Sequence, residues 1–567
     1  MLKPVMCSNF FRFVALLVLC TLLPLVSTAS VDTLYISSVA APGGDGSIDH
    51  PFSSFSSAFA TYLAYGEDAA ETFSFLAFPG TFSAEGNTGL QLRDDASSRS
   101  LIFGMATAQP SMTMKSSLRR SNQDSVVIDL AGADGSVTTV LSFLEVQNCA
   151  AVSISVRNMT FLNGVHTGQP VLSITQTKAL SVLGCKFRND FGGAESGEES
   201  SSAIMVMKVD TVSLTECAVI GWSSVRGGAL YMKGGEGVNL SVTASYFSLS
   251  KASKEGGAMY ISVPSICSGR VVVSSSRFEN NQGTTGGAVY VYNPAAAVSV
   301  SFTQDTFAWN NASSSGGAVS IDGNVALMKS CVYVSNTAGS NGGAIQLTWS
   351  EVIPFLSQGR ESVEVEDGEE PPPLHHPVRH EILQSSRTIS SFTVQLNTFD
   401  GNIAGEDGGA LSIEWAEQGQ ISISKCTVEN GYAKNGGGVS VAQGVVSITA
   451  TSFTLNNALQ YGGAFYSDGP ATSVYFSDCT FQQNDASLGG GALAAKRAIA
   501  LFVVNMCTLT SNTADSSTGR GGALYLTGSG VLSLSSMMDN SAQSGGAVAL
   551  QAGVLSVAKS NFTSNLV

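Results

Sequence analysis

Charge is scarce in this 567-residue chain: Asp, Glu, Lys and Arg make up 13% of it, and the basic share is the smaller, 28 residues against 43. The formal charge of -15 repels phosphate backbones and anionic membrane surfaces, which excludes nucleic acid as a partner. Histidine is rare as well. Three of the five, His375, His376 and His380, crowd into one stretch, and no Cys-x-x-Cys pair or Cys/His cluster occurs, so no metal site is expected. Nothing in the sequence implies a cofactor. Beyond the first thirty residues no apolar run of about twenty follows, which leaves the mature chain without an expected membrane segment. Proline is limited to 15 residues while glycine reaches 60, and this balance holds uniformly over a length that would suit several ordinary domains. Uniformity on that scale points to repetition.

The N-terminus stands apart. Lys3 and Arg12 precede an apolar run from Phe13 to Val26, and the small residues Ser27 and Ala29 flank a cleavage point before Ser30. Residues 1–29 therefore read as a secretory signal peptide, with a retained membrane anchor as the alternative. Removal takes away Cys7 and Cys20, two of ten cysteines, and places the rest in an oxidising compartment that permits disulfides. Asn158, Asn239, Asn311 and Asn561 each begin an Asn-x-Ser/Thr sequon and are candidate N-glycosylation sites.

The repeat is marked twice. Gly-Gly-Ala or a close variant begins at Gly227, Gly256, Gly286, Gly316, Gly342, Gly408, Gly436, Gly462, Gly490, Gly521 and Gly545; the spacing is 24–31 residues except for 66 between Gly342 and Gly408. Ahead of the glycines lies a Phe-x-x-Asn segment, as in Phe278 to Asn281, which leads to Gly286, Gly287 and Ala288. Between the markers run alternating segments such as Val298-Ser299-Val300 and Ile421-Ser422-Ile423, the pattern of short strands with one buried face. A unit this short leaves no room for a crossover helix, and it cannot bury its apolar face alone. A propeller blade would need about 40 residues and four antiparallel strands. Coils stacked about 4.8 Å apart pair every strand with its counterparts and build one aliphatic core. The expected fold is all-β, a right-handed parallel β-helix of about 14 coils. Glycine suits the sharp corners, and asparagine at the other corner is expected to adopt the left-handed region and to bond its stacked copies.

The combination of Gly-Gly-Ala-[Ile/Leu/Val] with Phe-x-x-Asn resembles the repeat of the chlamydial polymorphic outer membrane proteins, and the coils resemble the pectin-lyase-like β-helix superfamily. The likeness covers residues of roughly 150 to 567 and implies surface display. It does not extend to the membrane β-barrel in which those proteins end. Asp32 to Pro51 is similar to the opening strand and turn of secreted β-helices; Pro51 then suits a first helical position, and Phe52, Phe55, Phe59 and Tyr62 recur at helical spacing. A short helix here would cover the open first coil. Residues 30–125 thus form the N-terminal cap and first coils, and 126–567 the repeats. The acidic and Pro-rich stretch 351–391 is expected to extrude as a disordered insertion. The chain stops at Val567, two residues after a complete marker and with no capping element, and so reads as truncated.

Six cysteines, Cys185, Cys217, Cys331, Cys426, Cys479 and Cys507, share the position two residues before the Phe marker, where other coils place Ser276, Asp305, Asn397 or Thr451. On adjacent coils this makes Cys185 with Cys217, and Cys479 with Cys507, candidate disulfides; a stack of small buried thiols fits equally well. Tyr231, Tyr260 and Tyr290 fall four residues after the first glycine of three consecutive turns, and Trp349 and Trp415 share a later phase. Outward aromatic rows stack on sugar rings or on a protein surface, or simply brace coil against coil. Pectin-cutting β-helices need convergent carboxylates, but acidic residues here do not recur at one phase on adjacent coils: Glu255 and the pair Glu406, Asp407 share a turn with three coils between. No catalytic residue is assigned. The leading expectation is a secreted or cell-surface, non-enzymatic, adhesin-like scaffold that presents a solenoid face to glycan or to a cell-surface protein. A carbohydrate-active lyase or hydrolase and a structural wall or matrix protein are the alternatives.

Overall fold

The computed structural model describes residues 31–65, 72–83, 87–94, 99–106, 126–129, 142–163, 169–189, 201–235, 237–264, 268–293, 298–323, 325–348, 391–414, 419–469, 473–515 and 517–567. The leader at 1–29, the stretch 349–390 with Trp349 and the three clustered histidines, and Trp415 lie outside the described residues.

Among the described residues the chain is a parallel β-solenoid with one helix. One coil shows the plan. The paired glycines lead into a first strand, Val289–Asn293, and a short connection leads to a second, Val298–Thr303; a corner then gives Thr306–Ala308, and a further corner gives Asn311–Ala312. Strands of the first two kinds belong to a 28-stranded sheet, and the others build sheets of 16 and 10 strands. Three of the 16, Gly80–Ser83, Val126–Asp129 and Met159–Leu162, precede the regular repeat, which runs for about 13 turns. Pairing continues unbroken across 349–390: Val325–Lys329 pairs with Ser391–Gln395, and Ile345–Thr348 with Leu411–Glu414.

Stacking in register makes each inward column a ladder of like side chains. The rings of Phe278, Phe307, Tyr333 and Phe399 lie 4.8 to 5.0 Å apart and within 8° of parallel, so the Phe of the repeat is a core rung. One apolar cluster runs from Leu34 to Ala547. At its N-terminal end the helix Phe55–Tyr65 buries Phe55, Phe59 and Tyr62 against Phe75, Phe103 and Phe143. This is the expected cap, but it starts later than Pro51. Phe52 is drawn into a bridge with Ile36, and Ser54 takes the capping role, its Oγ accepting from the Ser57 N–H at 3.2 Å.

The two glycines of the turn do different work. Gly286 has φ +66°, and a Cβ there would overlap the Val289 carbonyl oxygen; Gly287 has no such φ, but its Cβ would overlap the carbonyl oxygen of Gly317 on the next coil. The first fixes the turn and the second permits the stacking distance. Ala288 is fully buried behind them and keeps its backbone paired to Ala258 and Ala318.

The asparagine corner differs from expectation. The left-handed residue is the one before the asparagine, or before Ser250 where serine replaces it: Leu249, Asn280, Trp309 and Ser335 have φ between 51° and 56°. That conformation costs about 1–2 kcal/mol for a residue with a Cβ. It is held because the asparagine one coil on reaches the N–H group that the corner leaves free. Asn281, Asn310 and Asn336 each donate their backbone N–H to the Oδ1 of the next asparagine in line at 3.0 Å, and their Nδ2 atoms reach back to the Phe247, Phe278 and Phe307 carbonyls. The other corner uses the cysteine column in the same way. Cys217, Ser245, Ser276 and Cys331 donate their N–H groups to the side chains of Ser245, Ser276, Asp305 and Asn397 respectively. Asp305 is the ill-suited member, since burial pushes its carboxyl up to about 7 although the Ser276 and Thr303 N–H groups favour the charge.

Two consequences are measurable. Asn310→Ala leaves the Asn281 N–H without its acceptor in the core and takes a donor from the Phe278 carbonyl, and should cost about 1–3 kcal/mol in denaturant melts, well beyond the effect of a surface Asn→Ala change. Asp305 binds its proton more tightly folded than unfolded, so its contribution to stability falls as pH rises from 3.8 towards 7 and is flat above. Asp305→Asn, copying Asn397, should therefore stabilise by on the order of 2 kcal/mol at pH 8 and lose that advantage below pH 4. A variant whose advantage does not change with pH contradicts this.

Candidate ligand-binding furrow

Two outward columns run side by side along the solenoid. One is the residue just before each glycine pair, which forms a shoulder; the other is four residues after the first glycine, and forms a floor. Tyr231, Tyr260 and Tyr290 are three successive floor residues in exact strand register with one another only because their strands pair residue for residue. Their rings stack at 5.3 and 5.7 Å, each pair 12° from parallel, and each is half-buried. The tyrosine row is thus brought together as expected. Inside the stack, ring faces meet ring faces and are closed to a ligand. Ser320 follows Tyr290 at one end, and Met205 precedes Tyr231 at the other.

At the Met205 end lies a cavity of about 160 Å³, lined by Ser201, Ser202, Met205, Ser224, Val225, Arg226 and Tyr231. Arg226 is a shoulder residue. Its Nε donates to the Glu255 Oε2 at 2.5 Å, and its guanidinium carbon sits 5.4 Å from the centre of the Tyr260 ring. The Glu255 bond raises the Arg226 pKa, and burial raises those of Tyr260 and Tyr290, so these groups keep their ordinary charge states near neutrality. The cavity therefore offers an apolar wall, a fixed cation whose charge is balanced, and the Ser201 hydroxyl, while Ser202 and Ser224 donate to the Arg226 carbonyl at 3.0 and 2.8 Å.

Further along, the floor residues Ser320, Gln346, Ser412 and Ser440 are small or slender, and all are at most 5% exposed. Beside them the shoulder residues Asn341 and Asn435 donate through Nδ2 to Glu414 Oε1 and Asp407 Oδ1, each at 2.9 Å, and Lys434 Nζ, one position before the shoulder, donates to Glu406 Oε2 at 2.6 Å. Tyrosine then returns to the floor. Tyr466 is 4% exposed, Tyr461 of the shoulder packs on it at 6.3 Å, and Arg497 pairs with Asp468 at 3.0 Å. Burial and then Asp468 raise the Tyr466 phenol, with Asp407 also acting on it; burial and then Glu406 raise the Asp407 carboxyl. This gathering was invisible to a search for acidic residues at one repeat phase. Asp407 precedes its glycine pair and Asp468 follows its own by six residues, yet both positions face the furrow.

Trp349 and Trp415, the other aromatic candidates, lie outside the described residues. The four sequon asparagines Asn158, Asn239, Asn311 and Asn561 are all exposed, and none belongs to the shoulder or the floor. The seven described cysteines are free thiols.

No known protein family matches the chain, and no curated protein does. Among solved structures it is similar to the GH136 lacto-N-biosidase from Eubacterium ramulus, at 10% identity over 93% of this chain and 68% of that one, with a TM-score of 0.26. It is also similar to the PL6 family alginate lyase AlyGC, at 8% identity over 94% of this chain and 100% of that one, with a TM-score of 0.21. Both are named as carbohydrate-active enzymes, and likenesses this slight bear on neither substrate nor activity.

Proposed function

We propose that the chain is a secreted or surface-displayed solenoid that holds glycan in its furrow without cleaving it. The carrying observation is the open end of the tyrosine stack. Tyr231 has Tyr260 on one side and a cavity on the other, with Arg226 and serines within the same walls. An aromatic wall beside hydrogen-bond donors suits a pyranose ring, which is apolar on its faces and polar around its rim. The exposed sequons leave the furrow clear of the chain's own glycans. The resemblance of the repeat to that of the polymorphic outer membrane proteins supports display at a surface.

The carbohydrate-active reading rests on a specific observation of its own. Asp407, with its carboxyl raised by burial, and Asp468 both act on Tyr466, and a carboxyl raised by burial near a second carboxylate is the equipment of acid–base chemistry.

A glycan array followed by titration with the best oligosaccharide separates the readings. Tyr231→Ala should weaken binding at least about tenfold at an unchanged melting temperature, while Tyr290→Ala, two coils from the cavity, should bind normally. Normal binding by Tyr231→Ala would remove the site. The bound oligosaccharide should yield no new reducing or unsaturated ends; ends released by the unaltered chain and lost in Asp407→Asn would establish the enzyme instead.

A further inference from the structure

The walls of the Tyr231 cavity come from a break in the repeat. Ser201-Ser202-Ala203 stands where the next coil has Gly227-Gly228-Ala229, and Met205 stands in register with Tyr231. The coil at this end thus brings hydroxyls and a slender side chain where its successor brings bare backbone and a phenol ring. The space left, about 160 Å³, is well below the roughly 300–1,000 Å³ that holds a drug-sized ligand, so it suits one sugar ring and not a chain of them.

Arg226 is the charged residue among those that line this space, and the exposed Lys208 and Lys233 of the flanking strands stand outside the lining. Its position is fixed from both sides. Ser202 and Ser224 donate to its carbonyl, and the N–H of Gly227, the next residue, donates to the Glu255 carbonyl at 3.2 Å. Its guanidinium is already engaged, through Nε to Glu255 Oε2 and through its face to the Tyr260 ring. Glu255 lies one coil on in the shoulder, and the uncharged Thr285 follows it there.

This engagement decides what the cavity admits. An arginine left without a carboxylate beside an aromatic wall draws an acidic group on the sugar. With Glu255 in contact, an incoming carboxylate meets a like charge on the same guanidinium and gives up its own hydration as well. A hydroxymethyl group in that place meets neither cost, and it can accept from the guanidinium N–H groups that Glu255 does not use.

We propose that Glu255 sets the charge selectivity of this site: by holding Arg226 it makes the cavity accept a neutral hexose and reject the corresponding hexuronate. This rests on the furrow being a glycan site, and adds which sugars enter it. Glu255 is a specificity-determining residue that acts through Arg226, outside the cavity walls.

The test uses matched oligosaccharides that differ in the terminal residue alone: glucose against glucuronate, galactose against galacturonate, mannose against mannuronate. Each is titrated into the full chain by calorimetry. For the pair whose hexose form binds best, the unaltered chain should prefer the hexose at least about tenfold, and that affinity should not change with salt. In Glu255→Gln the guanidinium is released, so the preference should shrink at least about tenfold or reverse, and binding of the uronate form should weaken as salt is raised. The selectivity of the unaltered chain is decisive even where the variant folds poorly. Equal or tighter binding of the uronate form by the unaltered chain, or a preference that a folded Glu255→Gln leaves as it was, would overturn the proposal and leave the glycan site standing. Binding of neither form in any pair would remove the glycan site itself, and the selectivity with it.

Discussion

A solenoid coil has to bend its backbone at every corner while keeping the corner's N–H groups away from water, and the side chain that meets those groups from the coil above is the interaction on which the fold depends. The asparagine column performs this most fully, since one carboxamide accepts from a backbone N–H and donates to a carbonyl in the same step. Bonds of this kind contribute about 1 kcal/mol each, but leaving the group bare costs more, so the column is better seen as a condition than as a reserve of stability. It explains why residues as unsuited to the left-handed region as Leu249, Trp309 and Leu455 are held there. The conformation belongs to the corner and not to the residue.

Everything on the outer surface inherits the same register. Columns that lie far apart in sequence become neighbours because each coil repeats the last, and the furrow is the meeting of two such columns. Its character changes along its length as the floor residue changes. Tyrosines fill it, serines then replace them, and the cavity appears where the stack begins. The acidic and basic groups within it are largely matched, Arg226 with Glu255 and Lys434 with Glu406, so the surplus negative charge of the chain is not concentrated there.

Much of this was legible beforehand. The glycine pairs, the Phe rungs, the capping helix and the tyrosine register followed from spacing, because a strand of period two stacked on its copies leaves little freedom. Three things were not. Pro51 looked like a helix start, but a bridge to Ile36 and the Ser54 cap decide the boundary, and both are tertiary or depend on the exact turn. The asparagine looked like the left-handed residue because isolated asparagine tolerates that region, whereas here its side chain is needed one coil away. The company of Asp407, Tyr466 and Asp468 could not be read from a single phase, since positions one before and six after a corner coincide only in three dimensions. The signal that would have found them is a comparison of all outward phases of neighbouring coils at once.

The connection between the first and second strand of each coil varies most in length: the two run on as one strand over Leu493–Asn505 and Leu524–Ser533, a single residue joins Gly323 to Val325, five residues at most intervene in the other regular coils, and 42 intervene between Thr348 and Ser391, with pairing intact on either side. Such a junction uncouples sequence drift from folding. A lineage can lengthen, shorten or replace this bank of the molecule without disturbing a rung, so the surface facing other molecules is free to diversify while the scaffold beneath it stays the same.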